Sequence, residues 1–260
     1  VGPGGLSSDF ALFDVVDKDR KAMMVEALDM MLALWTTEPP YNLPGKYWNI
    51  DMSKFTMHDI KLGYVPQPFQ KPHPPVAVSA MSPSSDSLAF AGERGYIPVT
   101  ANFIAQWSAA THWPTYAAAA KAAGKPSDPA IWRVARSVYV ADTDAEAAAF
   151  VTKADSAYDY YYEYLFKIFD RSKYKSPFVA NRGDDPEKLT ASAVRDACVI
   201  HGSPETVARK ILALRDHIGD FGTLLYAAHD WQDPAAMQKS MVLMAEQVMP
   251  RINSALAKAA

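Results

Sequence analysis

Four serines crowd one proline in the stretch from His73 to Thr100, HPPVAVSAMSPSSDSLAFAGERGYIPVT: Ser79, Ser82, Ser84 and Ser85. Short hydroxyl side chains at a strand-to-helix joint do one of two things. They cap the unpaired amides of the helix, or together with those amides they cradle an anion. Ser82 is of the type expected at an N-cap, and Pro83 stands where a missing amide costs nothing. Ser84 and Ser85 carry no charge, so the positive end of the helix is left open apart from Asp86. The start GSPETVARK repeats the cap and proline in Ser203 and Pro204, but Glu205 follows at once and answers the dipole, so this start reads as structural. Pattern alone does not separate capping from anion binding at the first joint. A phosphate-like anion would also need a cation, for which Arg20, Arg94, Arg133 and Arg136 are the candidates.

Other reactive side chains are sparse. None of His58, His73, His112, His201, His217 and His229 forms a His-x-x-x-His pair, so no metal site is expected. Cys198 is the only cysteine, which excludes an intrachain disulfide and fits a reducing cytosol. With 26 basic and 29 acidic residues the net charge is -3, so neither nucleic acid nor an anionic membrane is an expected partner. GERGYI follows a helix where a dinucleotide-binding turn must follow a strand, so no nicotinamide site is read there. No apolar run approaches the ~20 residues that span a bilayer, and no signal pattern opens the chain, so a soluble, cytoplasmic protein is expected. At 260 residues and 49% hydrophobic, one globular domain over 1–260 is the expectation.

The elements that must position these residues are legible from periodicity. Met23, Met24, Ala27, Leu28, Met31, Leu34 and Trp35 recur at helical spacing from about Asp19 to Trp35. TTEPPYNLPGKYWN then breaks the pattern. Val76–Ala80, Tyr96–Phe103, Trp132–Val140 and Phe221–Ala228 read as strands. Helices are expected over Ser84–Arg94, Ala105–Ala123, from Asp142, Thr143 or Asp144 through the tyrosine-rich run, over Ser203–Ile218 and from Pro234 to Leu256. The tyrosines of YDYYYEY are assigned to core or interface rather than to a ligand wall. Residues 171–202 read as polar and irregular, with a short helix near Asp185–Ala193 and the character of a mobile lid. Alternation of strand and helix gives an α/β class with a parallel sheet. Val1 is not an initiator methionine, and VGPGGL reads as a strand end running into a glycine turn, so upstream sequence is expected.

In order along the chain, GPGGLSSDFALF, the DR at Asp19-Arg20, LPGKYW, PPVAVSAMSPSSDSLAFAGERG, RVARSVYVADTDAEA, GSPETVARKI and AEQVMPRI resemble the bacterial luciferase-like flavin monooxygenases, most of all a limonene monooxygenase-like branch. The resemblance implies a (β/α)8 TIM barrel, of which this chain covers about strands 4 to 8, with VGPGG closing the fourth. It implies reduced FMN held at the carboxyl ends of the strands. Ser79, Ala80, Met81, Ser82 and Ser84 would line its phosphate end, with Arg20 as counter-ion. Gly2 and Gly4 would let backbone approach the cofactor, and Thr100, Ala101 and Asn102 would lie near the ring. Many relatives carry arginine where this chain has Gly4. The family's first three strands, and the histidine that supports oxygenation, have no counterpart here, and none of the six histidines is assigned that role. The implied reaction is two-component: a separate reductase supplies reduced FMN, and a small apolar substrate (a terpene, ketone or aldehyde) takes one oxygen atom from O2 while water is excluded. Dimers or tetramers are implied. A deazaflavin-dependent hydride transferase on the same fold, and a barrel that binds flavin without turnover, are the alternatives.

Overall fold

The computed structural model describes residues 1–227, 229 and 231–259. They form two compact units, Val1–Ala77 and Val78–Ala260.

The first unit holds α1 (Ser7–Leu12), α2 (Arg20–Thr36) and a small hairpin of β1 (Asn42–Pro44) and β2 (Asn49–Asp51). Helix α2 begins where its spacing placed it, because the Asp19 carboxylate accepts from the Ala22 amide at 3.0 Å. The proline-rich stretch after it forms the antiparallel hairpin, paired from Asn42↔Asp51 to Pro44↔Asn49. Glu26 fastens the turn by accepting from the amides of Lys46, Tyr47 and Trp48 at 2.8–2.9 Å. No ladder forms over residues 1–5, the expected strand end. Pro3 cannot donate there, and the contact made is from the Val1 nitrogen to the Ala77 carbonyl at 2.5 Å.

The second unit carries the parallel sheet: β3 (Ala77–Ala80), β4 (Ile97–Thr100), β5 (Arg133–Val140), β6 (Val199–Gly202) and β7 (Thr223–Ala227). Strand order runs β3-β4-β5-β6, with β7 also on β5. Eight-residue β5 organises the sheet. Its first half pairs with β4 (Thr100↔Val134) and β7 (Val134↔Leu224), and its second half with β6 (Val138↔Ile200). Ala228, the expected end of the last strand, lies outside the described residues. The crossover helices are α3 (Asp86–Arg94), α4 (Gln106–Ala109), α5 (His112–Ala122), α6 (Asp144–Thr152), α7 (Ala157–Arg171), α8 (Ala191–Cys198) and α9 (Pro204–Ile218), and α10 (Pro234–Leu243) and α11 (Met249–Ala259) follow the last strand. Trp132, Val134, Val138, Tyr158, Tyr162, Leu214 and Met237 form the centre of one continuous core.

Several boundaries differ from the expectations, each for a local reason. The alanine-rich helix is two pieces because Pro114 lacks the amide a continuous helix would need, so α5 restarts with Pro114 in its first turn. The tyrosine-rich helix is likewise broken: Asp155 sits at φ +60 and Ser156 caps α7 by accepting from Asp159. Of the three candidate caps for α6, Thr143 takes the role in a capping box with Glu146. The last helix contains a π-turn at Met244–Val248 and runs to Ala259. Residues 171–202 are not irregular throughout, since α8 and β6 occupy Ala191–Gly202 and β6 is hydrogen-bonded into the sheet. The remainder is anchored by buried Lys175, which pairs with Asp170 (2.7 Å) and Glu187 (3.2 Å), and by Trp107 donating to the Val179 carbonyl. Among the described residues, no helix is long and apolar enough to cross a membrane and no acid, histidine and cysteine cluster could hold a metal.

Candidate functional site

The serine joint follows β3 directly. Helix α3 starts three residues later than the Ser82-Pro83 pattern suggested: its N-cap is Ser85, whose hydroxyl accepts from Ser87 at 3.3 Å, and the first helical residue is Asp86. Ser82–Ser84 is instead a turn, with Ser84 at φ +49. The cause lies at the start of α5. His112 Nε2 donates to the Ser82 carbonyl at 3.0 Å, and the Ser84 amide donates to Thr111 Oγ1 at 2.8 Å. Both backbone groups are thereby drawn away from α3.

His112 is fully buried and its neighbours fix its tautomer. A carbonyl only accepts, so Nε2 carries the proton. Nδ1 then accepts from Thr100 Oγ1 at 2.9 Å, and Thr100 Oγ1 accepts from Trp132 Nε1 at 2.9 Å. Burial drives the imidazole pKa down to about 4, with the Ser82 bond opposing and the Arg136 charge assisting. The ring is a neutral strut tying the joint to the ends of β4 and β5. Ala80 and Ala101 close the same region, with the Ala101 amide donating to the Ala80 carbonyl at 3.0 Å. Of the expected phosphate residues, Ser79 and Ser84 are exposed and, among the described residues, neither hydroxyl is bonded to protein. Ser82 Oγ accepts from Tyr174 at 2.9 Å and keeps its own proton to donate. Met81 is half-buried against the core.

Thr100, Ala101 and Asn102 end β4 beside a second polar cluster. Ser137 Oγ contacts Asn102 Nδ2 (3.1 Å), Tyr162 OH (3.0 Å) and His229 Nε2 (2.9 Å), which matches its one proton and two lone pairs. Tyr161 OH donates to Asn102 Oδ1 at 3.3 Å. The tyrosine run therefore divides. Tyr158 and Tyr162 are core, Tyr160 and Tyr164 are exposed, and Tyr161 reaches the site. Ser137 and Tyr174 were not singled out by sequence reasoning, His112 and His229 were given no role there, and Tyr161 and Tyr162 were assigned to core or interface. Their partners lie 12 to 92 residues away, so no local signal marks them.

In the first unit, Gly2, Gly4 and Arg20 line one cavity of about 550 Å³ with Phe10, Met24 and Met31. Gly4 sits at φ +84, and a Cβ there would lie 2.9 Å from the Phe10 ring. The Arg20 guanidinium rests 3.9 Å over Phe10, and its Nη1 donates to the Val15 and Val16 carbonyls at 3.3 and 2.9 Å, which leaves its other N–H groups without a partner among the described residues. Of the other candidate cations, Arg94 ends α3, about 12 Å along the helix from the joint. Arg133 donates to the Thr223 hydroxyl, and Arg136 is buried against the Ala101 carbonyl. The second serine cap is structural, as expected. The Asp144 carboxylate sits on the start of α9, accepting from the Ser203 amide at 2.6 Å and from the Thr206 hydroxyl at 2.9 Å.

A strand-end joint with free hydroxyls on a parallel α/β sheet is an arrangement suited to a phosphate-bearing ligand. The chain belongs to the luciferase-like monooxygenase family, whose sequence model matches residues 1–220. It is 32% identical to the 3,6-diketocamphane 1,6-monooxygenase of Pseudomonas putida, over 90% of this chain and 63% of that protein. Limonene 1,2-monooxygenase of Rhodococcus erythropolis is 26% identical over 98% of this chain and 61% of its own length. Among solved structures, the oxygenating constituent of 3,6-diketocamphane monooxygenase from Pseudomonas putida, a type II Baeyer-Villiger monooxygenase in complex with FMN, superposes with a TM-score of 0.82. That match is 30% identical and covers 97% of this chain and 70% of the other. The chain thus spans somewhat under two-thirds of the two curated relatives' length, and the α/β class of the luciferase-like barrel follows from the family.

Proposed function

We propose that this chain is the flavin-binding body of an FMN-dependent monooxygenase that delivers one oxygen atom from O2 to a small apolar ketone or terpene. The observation that carries the proposal is the joint itself: a turn whose backbone is locked by Thr111 and His112 while the hydroxyls of Ser79, Ser82 and Ser84 keep protons to donate. In this reading those hydroxyls hold the FMN phosphate and Arg20 supplies charge. Gly2 and Gly4 admit the cofactor, and Ala80, Met81, Thr100, Ala101 and Asn102 line the remainder. When bound, reduced FMN supplies the electrons that activate O2. The protein's part is to position the cofactor and keep water out. His112 has no part in proton transfer, because both its nitrogens are committed and buried. Residues 171–190 are assigned as a cover, since Tyr174 already touches Ser82. A separate reductase, an oligomeric assembly and a cytoplasmic setting belong to the same proposal and rest on family resemblance.

Titration with reduced FMN tests it. Arg20→Ala should weaken binding about tenfold or more, the worth of one charge-assisted hydrogen bond, and Arg94→Ala less than about twofold. Equal effects would reject Arg20 as counter-ion, and preferential binding of reduced deazaflavin would reject FMN. Protease nicking within 171–190 should slow in the FMN-bound sample, and unchanged nicking would reject the cover.

A further inference from the structure

The buried cations of the second unit are treated unequally. Lys175 lies between Asp170 and Glu187, and Arg195 between Asp159 (2.6 Å) and Asp196 (2.9 Å). Arg136, only 2% exposed, has no carboxylate partner among the described residues. Its Nη1 donates to the carbonyls of Ala101 and Ala135, both at 3.1 Å, and its Nη2 is buried with no partner among the described residues. A buried guanidinium with no counter-charge is costly, because neither its desolvation nor its unmade hydrogen bonds are offset.

Arg136 helps line a cavity of about 520 Å³ built between β5, β6, α4 and α9. The other charged groups on that wall are Arg182, Arg209, Lys210 and Asp196. Asp196 is already bonded to Arg195, whereas among the described residues Arg182 and Arg209 have no acidic partner. Lys210 donates to the His201 carbonyl at 2.8 Å and gains no neutralisation from it. Among the described residues, four cations therefore line one cavity with a single acid, which is already bonded. The volume suits a small ligand rather than a single water.

We propose that this cavity is a second ligand site, separate from the serine joint, that takes a small phosphate-bearing anion and supplies the counter-charge Arg136 lacks. Guanidinium groups suit this chemistry because their planar donors match oxyanion edges. Through the Ala101 carbonyl, occupancy would bear on the end of β4.

Calorimetric titration of the intact chain with inorganic phosphate, and separately with pyrophosphate, tests the site. Saturable binding of one equivalent is expected, weakened about tenfold or more by Arg209→Ala/Lys210→Ala. The double variant should leave FMN affinity unchanged. Phosphate should also raise the melting temperature of the parent but not of Arg136→Met. If Arg136→Met fails to fold, the double variant decides alone. Absence of saturable binding, equal affinity in the double variant, or displacement of the anion by FMN would each overturn the proposal.

Discussion

Replacing His112 with alanine is expected to cost about 3 kcal/mol of stability and to weaken FMN binding at the same time. The stability loss combines a cavity in the core with the orphaning of the Ser82 carbonyl, and the binding loss follows because the Ser82–Ser84 turn loses its anchor. A structural histidine unconnected with the joint would lower stability alone. The pH dependence is specific. In the folded chain the ring stays neutral down to about pH 4, whereas in the unfolded chain it takes a proton near pH 6.5. Between those values the unfolded state binds more protons, so this group's contribution is complete above about pH 6.5. It is lost as the pH falls to about 4, by roughly 3 kcal/mol in all. Denaturant melts at pH 7, 5.5 and 4.5 on the parent and on His112→Gln read this directly, and the difference between the two proteins isolates His112 from other groups. Parallel pH curves would show that the histidine is not buried neutral as described.

Gly92→Ala is expected to be similarly damaging for a different reason. At Gly92 helix α3 packs directly on α5: a Cβ there would lie 2.4 Å from the Tyr116 carbonyl oxygen and 2.9 Å from the Ala120 nitrogen. Both are backbone atoms inside a helix, so neither yields as a side-chain tip would, and the two helices must part. A loss of about 3 kcal/mol or more is expected, at the upper end for an overpacked core. The joint is strung between those helices, since α3 follows it and Thr111 and His112 at the head of α5 hold it. Gly92→Ala should therefore also weaken FMN binding, whereas Gly124→Ala, whose cost is local backbone strain at φ +66 and not a clash with another helix, should leave binding unchanged. Wild-type melting and FMN affinity in Gly92→Ala would contradict the close packing.

The sequence was most readable where the physics is local. Asp19, Ser203-Pro204, Gly95 and Gly219 announced helix ends that the structure keeps, because a cap is decided by a few neighbouring atoms. The α/β class was legible from alternating periods, and so was the serine joint as a place where a helix start meets a strand end. Its geometry was not. Which serine caps α3 is settled by His112 and Thr111, about thirty residues further on, and no spacing within SAMSPSSDS encodes that. Strand β6 escaped notice because four residues directly after an amphipathic helix are too short to show a period. Arg136 looked like any other arginine in WRVARSVYV. Only the fold shows that it is buried with no acid paired to it among the described residues.

A crystal structure of the intact chain with FMN bound is the most direct examination of the serine joint. The phosphate is expected within hydrogen-bonding reach of the Ser82 and Ser84 hydroxyls, with the His112–Ser82 contact intact. A phosphate lodged beside Arg136, or anywhere away from the turn between β3 and α3, would contradict the proposal that this joint holds the cofactor.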